Sequence, residues 1–348
     1  MSIVPESVPT GAIRYNTDSN KMECFDGNKW GQVSVSSPDL NGGTRGFFAG
    51  GKMNSPATET NSIEYITISS KGNGTDFGDL TQAVRIAATL SNRTRGMRMG
   101  GYVAPTSTAE IDYLQLTSTG NAVDWGTDLG TGSYHGCGLA NQTRGVYAQG
   151  INHPSPSAGT NLIEYSTIAT TGTRGDFGDL TAGTANSASN SSPTRGLFIG
   201  GSDGTSPSPS WVKRIDYVTI GTTGNAQDYG DLSGNRGMAY GGGNAIRAIV
   251  TSGYDGSSYL SNSETINMVT KGRGIICSDT PMAGEYGASM SSSTRFVYGA
   301  AYTSPAGKVN TIEYINIQTL GDSVDFGDLG VVDARGGGRG FSNGHGGL

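Results

Sequence analysis

The sequence predicts an all-β fold, a six-bladed β-propeller of four-stranded blades closed by its C-terminal strand, with a small N-terminal β-hairpin module. Three observations predict it. A Thr-Arg-Gly-like tripeptide opens a hydrophobic strand six times, at Thr44, Thr94, Thr143, Thr194, Ile246 and Thr294. An Ile-Glu-Tyr-like strand and, in most copies, an Asp-Phe-Gly-Asp-Leu-like phrase follow each opening. A period of roughly 50 residues made of strands and glycine-rich turns is that of a closed β array. Composition agrees, since 57 of 348 residues are glycine and only 34% are hydrophobic, which suits short strands and many turns.

The second repeat gives the elements of one blade in order. Thr94, Arg95 and Gly96 lead into residues 97–101, a short strand that ends on a glycine pair. A loop over 102–109 follows. Residues 111–116 then alternate apolar and polar with the period of two that a half-buried strand requires. Ser-Thr-Gly-Asn at 118–121 forms a turn before a further strand over 124–129. The last piece, 130–141, is crowded with Gly, Ser and Ala, as are 81–92, 181–192, 233–244 and 281–292. Innermost strands converge on one axis, where large side chains collide. Small residues belong there, although glycine costs roughly 0.5–1 kcal/mol per position in chain entropy. Residues 80–90 alone also read as a helix, and the register of the other copies outvotes it.

Spacing predicts how the ring closes. The Leu that ends one repeat precedes the next opening by 14 residues, as from Leu80 to Thr94 and from Leu232 to Ile246. Leu40 precedes Thr44 by only four, so the first blade lacks its innermost strand. Residues 331–342 form an innermost strand with no blade of their own. They are expected to complete the first blade beside 47–51, which removes exposed sheet edges. The fifth copy has no Asp-Phe-Gly-Asp-Leu phrase, so its outer strand is the least defined.

Charge and cysteine usage exclude several classes. A net charge of −6 without a basic block argues against a nucleic-acid footprint. No apolar run approaches the roughly 20 residues that cross a bilayer, and the first residues carry no signal-peptide pattern. Cys24, Cys137 and Cys277 suit neither a disulfide framework nor a zinc site, so synthesis in a reducing cytoplasm and no cofactor or metal are expected. Arg45, Arg95, Arg144, Arg195, Arg247 and Arg295 occupy one slot of the repeat. Asp79, Asp128, Asp179, Asp231 and Asp279 each lie 16 residues before the next such arginine. Glu64, Asp112, Glu164, Asp216, Glu264 and Glu313 form a third set. The first reading is that bidentate Arg–carboxylate pairs fasten neighbouring blades. The other is an arginine ring that binds an anion. Each arginine has an acidic counterpart in its own repeat, which favours the first.

Few residues break the symmetry in a catalytic way. His135 and Cys137 sit two apart in an innermost strand and share a face, but no third group orients them, so they read as channel lining. Six-bladed folds host sialidases, yet their Ser-x-Asp-x-Gly-x-Thr-Trp turn is absent, and fold alone grants no activity. No enzyme is expected. The loops after the glycine pairs vary most, at 52–61, 102–109, 151–161, 202–213, 254–261 and 302–309, and they emerge on one face. Tyr102, His153, Trp211, Tyr254, Tyr259 and Tyr302 make that face a candidate binding surface. The alternative is that these loops vary because nothing restrains them.

Residues 9–18 and 21–31 lie outside the repeats and read as two alternating strands with turns at 18–20 and 26–28. A hairpin of that size is marginal alone and is expected to pack on a partner. Its Gly-Ala-Ile-Arg-Tyr-Asn-Thr and Glu-x-Phe-Asp-Gly-x-x-Trp phrases resemble a segment common in bacteriophage tail and tail-fibre proteins. The repeat unit is similar to kelch-like propeller proteins of marine phages, notably those infecting cyanobacteria. Together the two resemblances cover nearly the whole chain. They imply a virion structural protein, tail-associated, with residues 1–37 attaching it to other virion proteins and residues 38–348 forming the propeller. They also imply a homo-oligomer on the particle and display toward a host envelope glycan or protein, without nucleic acid or membrane insertion. A purely architectural decoration or tail component is the alternative, and a glycan-degrading enzyme a more distant one.

Overall fold

The computed structural model describes residues 8–17, 21–32, 44–54, 56–152, 158–205, 208–330 and 334–348. It divides into two units between Gly42 and Gly43; the expected boundary at 37/38 lies outside the described residues. The first unit holds three antiparallel strands, Ile13–Asn16, Lys21–Phe25 and Trp30–Gln32, one more than the expected hairpin. Arg14 pairs with Glu23 at 2.8 Å and lies 4.3 Å over the Trp30 ring, while Phe25 packs on Trp30. The third strand returns because the Asp26 carboxylate accepts the Asn28 and Lys29 amides and tightens the second turn.

The second unit is all-β, with no helix among the described residues and six four-stranded antiparallel sheets. In the fourth, Ala188–Ser191, Arg195–Ser202, Trp211–Thr219 and Gln227–Asp231 lie side by side in chain order. The first sheet departs from chain order. Its inner strand is Arg339–Ser342, paired with Arg45–Ala49 so that Phe341 faces Phe47. That strand is shorter than the expected 331–342. Residues 331–333 lie outside the described residues, and Arg335–Gly336 pairs with Lys52–Met53 instead. The fifth sheet keeps a full outer strand, Ile275–Asp279, despite its divergent sequence.

The six inner strands touch in a cycle: Ala88–Ser91, Cys137–Ala140, Ala188–Ser191, Tyr240–Gly243, Ala288–Ser291, Arg339–Ser342 and back to the first. Two residues before each of them sits one residue of positive φ between 50° and 77°: Ile86, His135, Asn186, Met238, Tyr286 or Gly337. The Asn186 N–H donates to the His135 carbonyl, His135 to Ile86, Ile86 to Gly337, and so on through Tyr286 and Met238 back to Asn186. These six bonds, 2.5–3.3 Å long, form a closed circle. Left-handed backbone at a β-branched residue such as Ile86 costs on the order of 1–3 kcal/mol and persists only when its surroundings hold it, as this circle does. Further along the strands, Ser91, Ser191 and Ser291 each donate a hydroxyl at 2.8 Å to a carbonyl of the neighbouring inner strand. A Cβ on Gly138 would lie 2.5 Å from the Thr89 carbonyl. Small residues are therefore required where backbones meet, and Ser is chosen where a carbonyl needs a donor.

Each pair of sheets buries its own apolar layer; Leu197, Ile199, Ile215, Tyr229 and Leu232 pack on Val250, Ile266 and Met268 of the next sheet. The Asp-Phe-Gly-Asp-Leu phrase forms the outer seam. Phe77 and Leu80 enter the core, while Gly78, at φ 145°, comes so close to the next sheet's turn that a Cβ would sit 2.5 Å from the Gly120 carbonyl. The Gly120 and Ala122 amides donate to Phe77 and Asp79, and the Asp79 amide donates to Asn121 Oδ1.

The expected Arg–carboxylate pairs between blades are corrected by the structure. None of Arg45, Arg95, Arg144, Arg195, Arg247 and Arg295 has an ion pair among the described residues. Each donates instead to main-chain carbonyls of a neighbouring sheet: Leu116, Ile168, Ile220, Met268, Ile317 and Ile68 in that order. Five of them also lie about 5 Å over a tyrosine of their own sheet, Tyr65, Tyr113, Tyr165, Tyr217 or Tyr314. The arginines thus cap carbonyls left open at strand ends. Asp79 and Asp179 meet the next sheet through their amides, Asp128 is exposed, and Asp231 pairs with Lys213 at the surface. Replacement Arg144→Ala removes one bond and one ring contact and is expected to cost about 1–2 kcal/mol in urea unfolding.

The third acidic set is the one that is buried. Glu64, Asp112, Glu164, Asp216, Glu264 and Glu313 are each at most 7% exposed. Five of them also accept from the segment that leaves the preceding sheet, as Thr81 Oγ1 donates to Asp112 at 2.6 Å and the Gly330 amide to Glu64 at 2.7 Å. Their cations come from four slots, one of them shared by Arg236 and Arg335: Arg98 for Asp112, Arg174 for Glu164, Arg214 for Asp216, Arg236 for Glu264 and Arg335 for Glu64. Glu313 accepts from the Tyr298 and Ser323 hydroxyls instead.

Candidate functional site

The inner strands run in one direction, so the circle of positive-φ residues marks one end of the axis. Above it lies a cavity of about 490 Å³. Its floor is Ile86, His135, Tyr286 and Gly337, four members of that circle. Its walls come from two sources. Arg85, Tyr134, Glu285 and Gly336 precede the floor residues in the chain. Lys52, Tyr102, Tyr302 and Lys308 come from the variable loops of the first, second and sixth repeats.

Aromatic rings form a band around this space. Tyr102 meets Tyr134 edge-on at 5.6 Å, Tyr134 lies 4.8 Å from His135, and His135 lies 5.5 Å from Tyr286. Cations stand among the rings. The Arg85 guanidinium lies 4.7 Å over Tyr102 and 3.2 Å from Glu59. Lys308 donates to the Met53 carbonyl at 2.9 Å, and burial, then the neighbouring Lys52 and Arg85, lower its pKa. Among the described residues the one carboxylate in the wall is Glu285, which burial pushes up to about 7.

Below the floor, Arg339 projects into the axial channel. Its Nε donates to the Ala87 carbonyl at 3.0 Å, and no carboxylate among the described residues pairs with it. A space of about 70 Å³ surrounds it, lined by small residues of the inner strands. His135 is held down to about 3 by burial and then by Arg339 and Arg85, so it is neutral at pH 7. Its Nδ1 has no hydrogen-bond partner. Burial pushes the Cys137 thiol up to about 12. A nucleophilic pair needs a thiolate beside a basic imidazole, and both shifts run the other way.

The opposite end of the channel is filled by the end of this sequence. His345 Nε2 lies 2.7 Å from the Ser91 carbonyl, and the Gly347 amide donates to Nδ1 at 3.1 Å. A carbonyl accepts and an amide donates, so the ring is neutral with its proton on Nε2. Burial holds its pKa down to about 4. Among the described residues, no group of three or more His, Cys, Asp or Glu could hold a metal.

The chain matches no protein-family model and no curated protein.

Of the residues expected on the binding face, Tyr102 and Tyr302 line the cavity. Tyr259 reaches it indirectly, its hydroxyl donating to Glu285 at 3.4 Å. Tyr254 packs 5.4 Å from Tyr259, and Trp211 packs 5.4 Å from Tyr254, so these two extend an aromatic row away from the mouth and do not line it. His153 lies outside the described residues. Sequence reasoning missed Arg85, Tyr134, Glu285, Tyr286 and Arg339. The signal that could have found all but Arg339 is that one slot of the repeat, otherwise small or neutral, reads Arg-Ile, Tyr-His and Glu-Tyr in three copies.

Proposed function

We propose that this chain is a structural protein of a bacteriophage virion, a six-bladed kelch-like propeller that binds the host envelope through the tyrosine-lined mouth of its axis. The cyclic hydrogen bonding of the inner strands and the pairing of Arg339–Ser342 with Arg45–Ala49 support the closed ring. The observation that carries the binding role is the cavity of about 490 Å³. Small-molecule and sugar sites occupy roughly 300–1,000 Å³ and combine aromatic faces with a few polar groups, as this one does. In this reading residues 1–37 attach the chain to other virion proteins and the variable-loop face points outward.

Two measurements test the reading. The purified chain is expected to bind cells of the host strain and to compete with particle adsorption. Each of Tyr102→Ala and Tyr302→Ala is expected to weaken cell binding about tenfold, the effect of roughly 1.4 kcal/mol per buried ring contact, while melting within a few degrees of the parent. Adsorption unaffected by both substitutions and by excess purified chain would leave an architectural role. Separately, deletion of residues 1–37 is expected to give a folded second unit that no longer joins particles.

A further inference from the structure

We infer that the axial mouth is built for an acidic saccharide, whose carboxylate is drawn toward Arg339 while its ring rests on Tyr102, Tyr286 and Tyr302. The inference deepens the host-binding reading and rests on it.

Charge decides the class of ligand. The whole chain carries a net charge of −6, yet Lys52, Arg85 and Lys308 line this mouth and Arg339 lies beneath its floor. Glu59 offsets Arg85, and Glu285 is the only carboxylate in the wall among the described residues. An electropositive pit on an acidic protein concentrates anions there and repels them elsewhere.

Arg339 gives the pit a specific seat. Arg98, Arg174, Arg214, Arg236 and Arg335 each have a carboxylate, and each of the six seam arginines caps a strand-end carbonyl through a terminal nitrogen. Arg339 has a single hydrogen bond through Nε, which leaves both terminal nitrogens to the channel. A planar guanidinium presents two parallel donors, the geometry that fits a carboxylate bidentately. Leaving such a charge in the channel without a counter-ion is costly, so a ligand that supplies one gains that difference.

The rest of the pit selects for size and shape. The cavity far exceeds a lone inorganic ion, and its aromatic lining would contribute nothing to one. The tail around His345 blocks the far end of the channel, so a polymer cannot thread it and a terminal sugar enters from the mouth.

The test is calorimetric titration of the full chain with three probes at one ionic strength. They are a glucuronate-terminated oligosaccharide, a neutral glucose oligosaccharide of equal length, and inorganic phosphate. The acidic probe is expected to bind at least tenfold more tightly than the neutral one, and phosphate at least tenfold more weakly than the acidic sugar. Arg339→Gln is expected to bring the acidic probe to the neutral value, whereas Tyr302→Ala weakens both sugars by the same factor. If Arg339→Gln does not fold, the double substitution Lys52→Gln, Lys308→Gln must reduce the acidic preference. Equal binding of acidic and neutral sugars, or phosphate matching the acidic probe, overturns the inference. So does an acidic preference that survives the tested substitutions. Cell binding that persists alongside any of these results sinks only the acidic-sugar assignment. Loss of both cell binding and saccharide binding sinks the host-binding reading as well.

Discussion

Deletion of residues 339–348 is expected to abolish cooperative folding of the second unit, although it removes only ten residues. The deletion takes the inner strand from the first sheet and exposes the edge of Arg45–Ala49. It also removes Phe341, which is 5% exposed, stacked at 5.2 Å on Phe47 and seated against Gly96 of the second sheet. Phe→Ala at such a site alone costs about 3–5 kcal/mol. The strand further supplies the carbonyls that receive Thr89 and Ser91, and Asn343 Oδ1 accepts the Arg45 amide at 2.8 Å. A domain with about 5–15 kcal/mol of total stability does not absorb the sum of these losses. Urea unfolding followed by tyrosine fluorescence checks it: Phe341→Ala is expected to keep a single transition at lower urea, and the deletion to show none. Deleting only 346–348 serves as the control. It is expected to leave the six sheets intact, because no strand residue is lost. A deletion of 339–348 that unfolds like the parent would mean that the ring of inner strands does not need its last member.

The repeat itself was legible because its reasons are local. The two-residue alternation of 111–116, the turn at Gly120 and the core positions Phe77 and Leu80 of the outer phrase can be read one after another along the chain. So could the inner strands, since crowding at an axis dictates small side chains whatever the neighbours are. The identity of the missing strand followed from one spacing, Leu40 to Thr44.

Pairing between repeats was not legible, and the arginines explain why. In a repeated sequence every slot keeps a constant distance from every other slot. The 16-residue interval from Asp79 to Arg95 therefore carries no information about contact. Arg95 finds the Ile168 carbonyl because that is what ends the adjacent strand in space. The buried carboxylates defeat a repeat-based reading in the opposite way. Their own slot is regular, but their cations come from four different slots, because any nearby arginine of suitable reach can neutralise a carboxylate in the seam. The cavity combines both difficulties. It draws on the first, second, third and sixth repeats and on residues more than 200 positions apart in the chain, such as Arg85 and Lys308. Only the loop tyrosines Tyr102 and Tyr302, and His135 as channel lining, advertised it.

Acid is expected to destabilise the second unit through its two ends of the axis. His135 and His345 are held at about 3 and about 4 in the folded chain, against an ordinary value of 6.5. Below pH 6.5 the unfolded chain takes up these two protons and the folded one does not. Their stabilising contribution is therefore complete above pH 6.5 and is lost as pH falls toward 4 and 3. Glu285 acts with the opposite sign. Its carboxyl is raised to about 7 from 4.5, so the folded chain holds a proton that the unfolded chain has released, and this favours folding as pH falls. Each group contributes at most about 1.4 kcal/mol per pH unit, and two histidines outweigh one glutamate. Near pH 7 the terms cancel and stability is flat. Between pH 6 and pH 4 the histidines win, with a combined loss of about 3 kcal/mol relative to pH 7. His135 faces Arg85 and Arg339, and His345 faces Arg93, so charging either imidazole also adds like-charge repulsion. The check is urea unfolding at half-unit pH intervals. Glu285→Gln is expected to steepen the acid limb, because it removes the opposing term, and His345→Gln to flatten it, because glutamine still donates to Ser91. An acid limb unchanged by both substitutions would show that neither buried group links protons to folding.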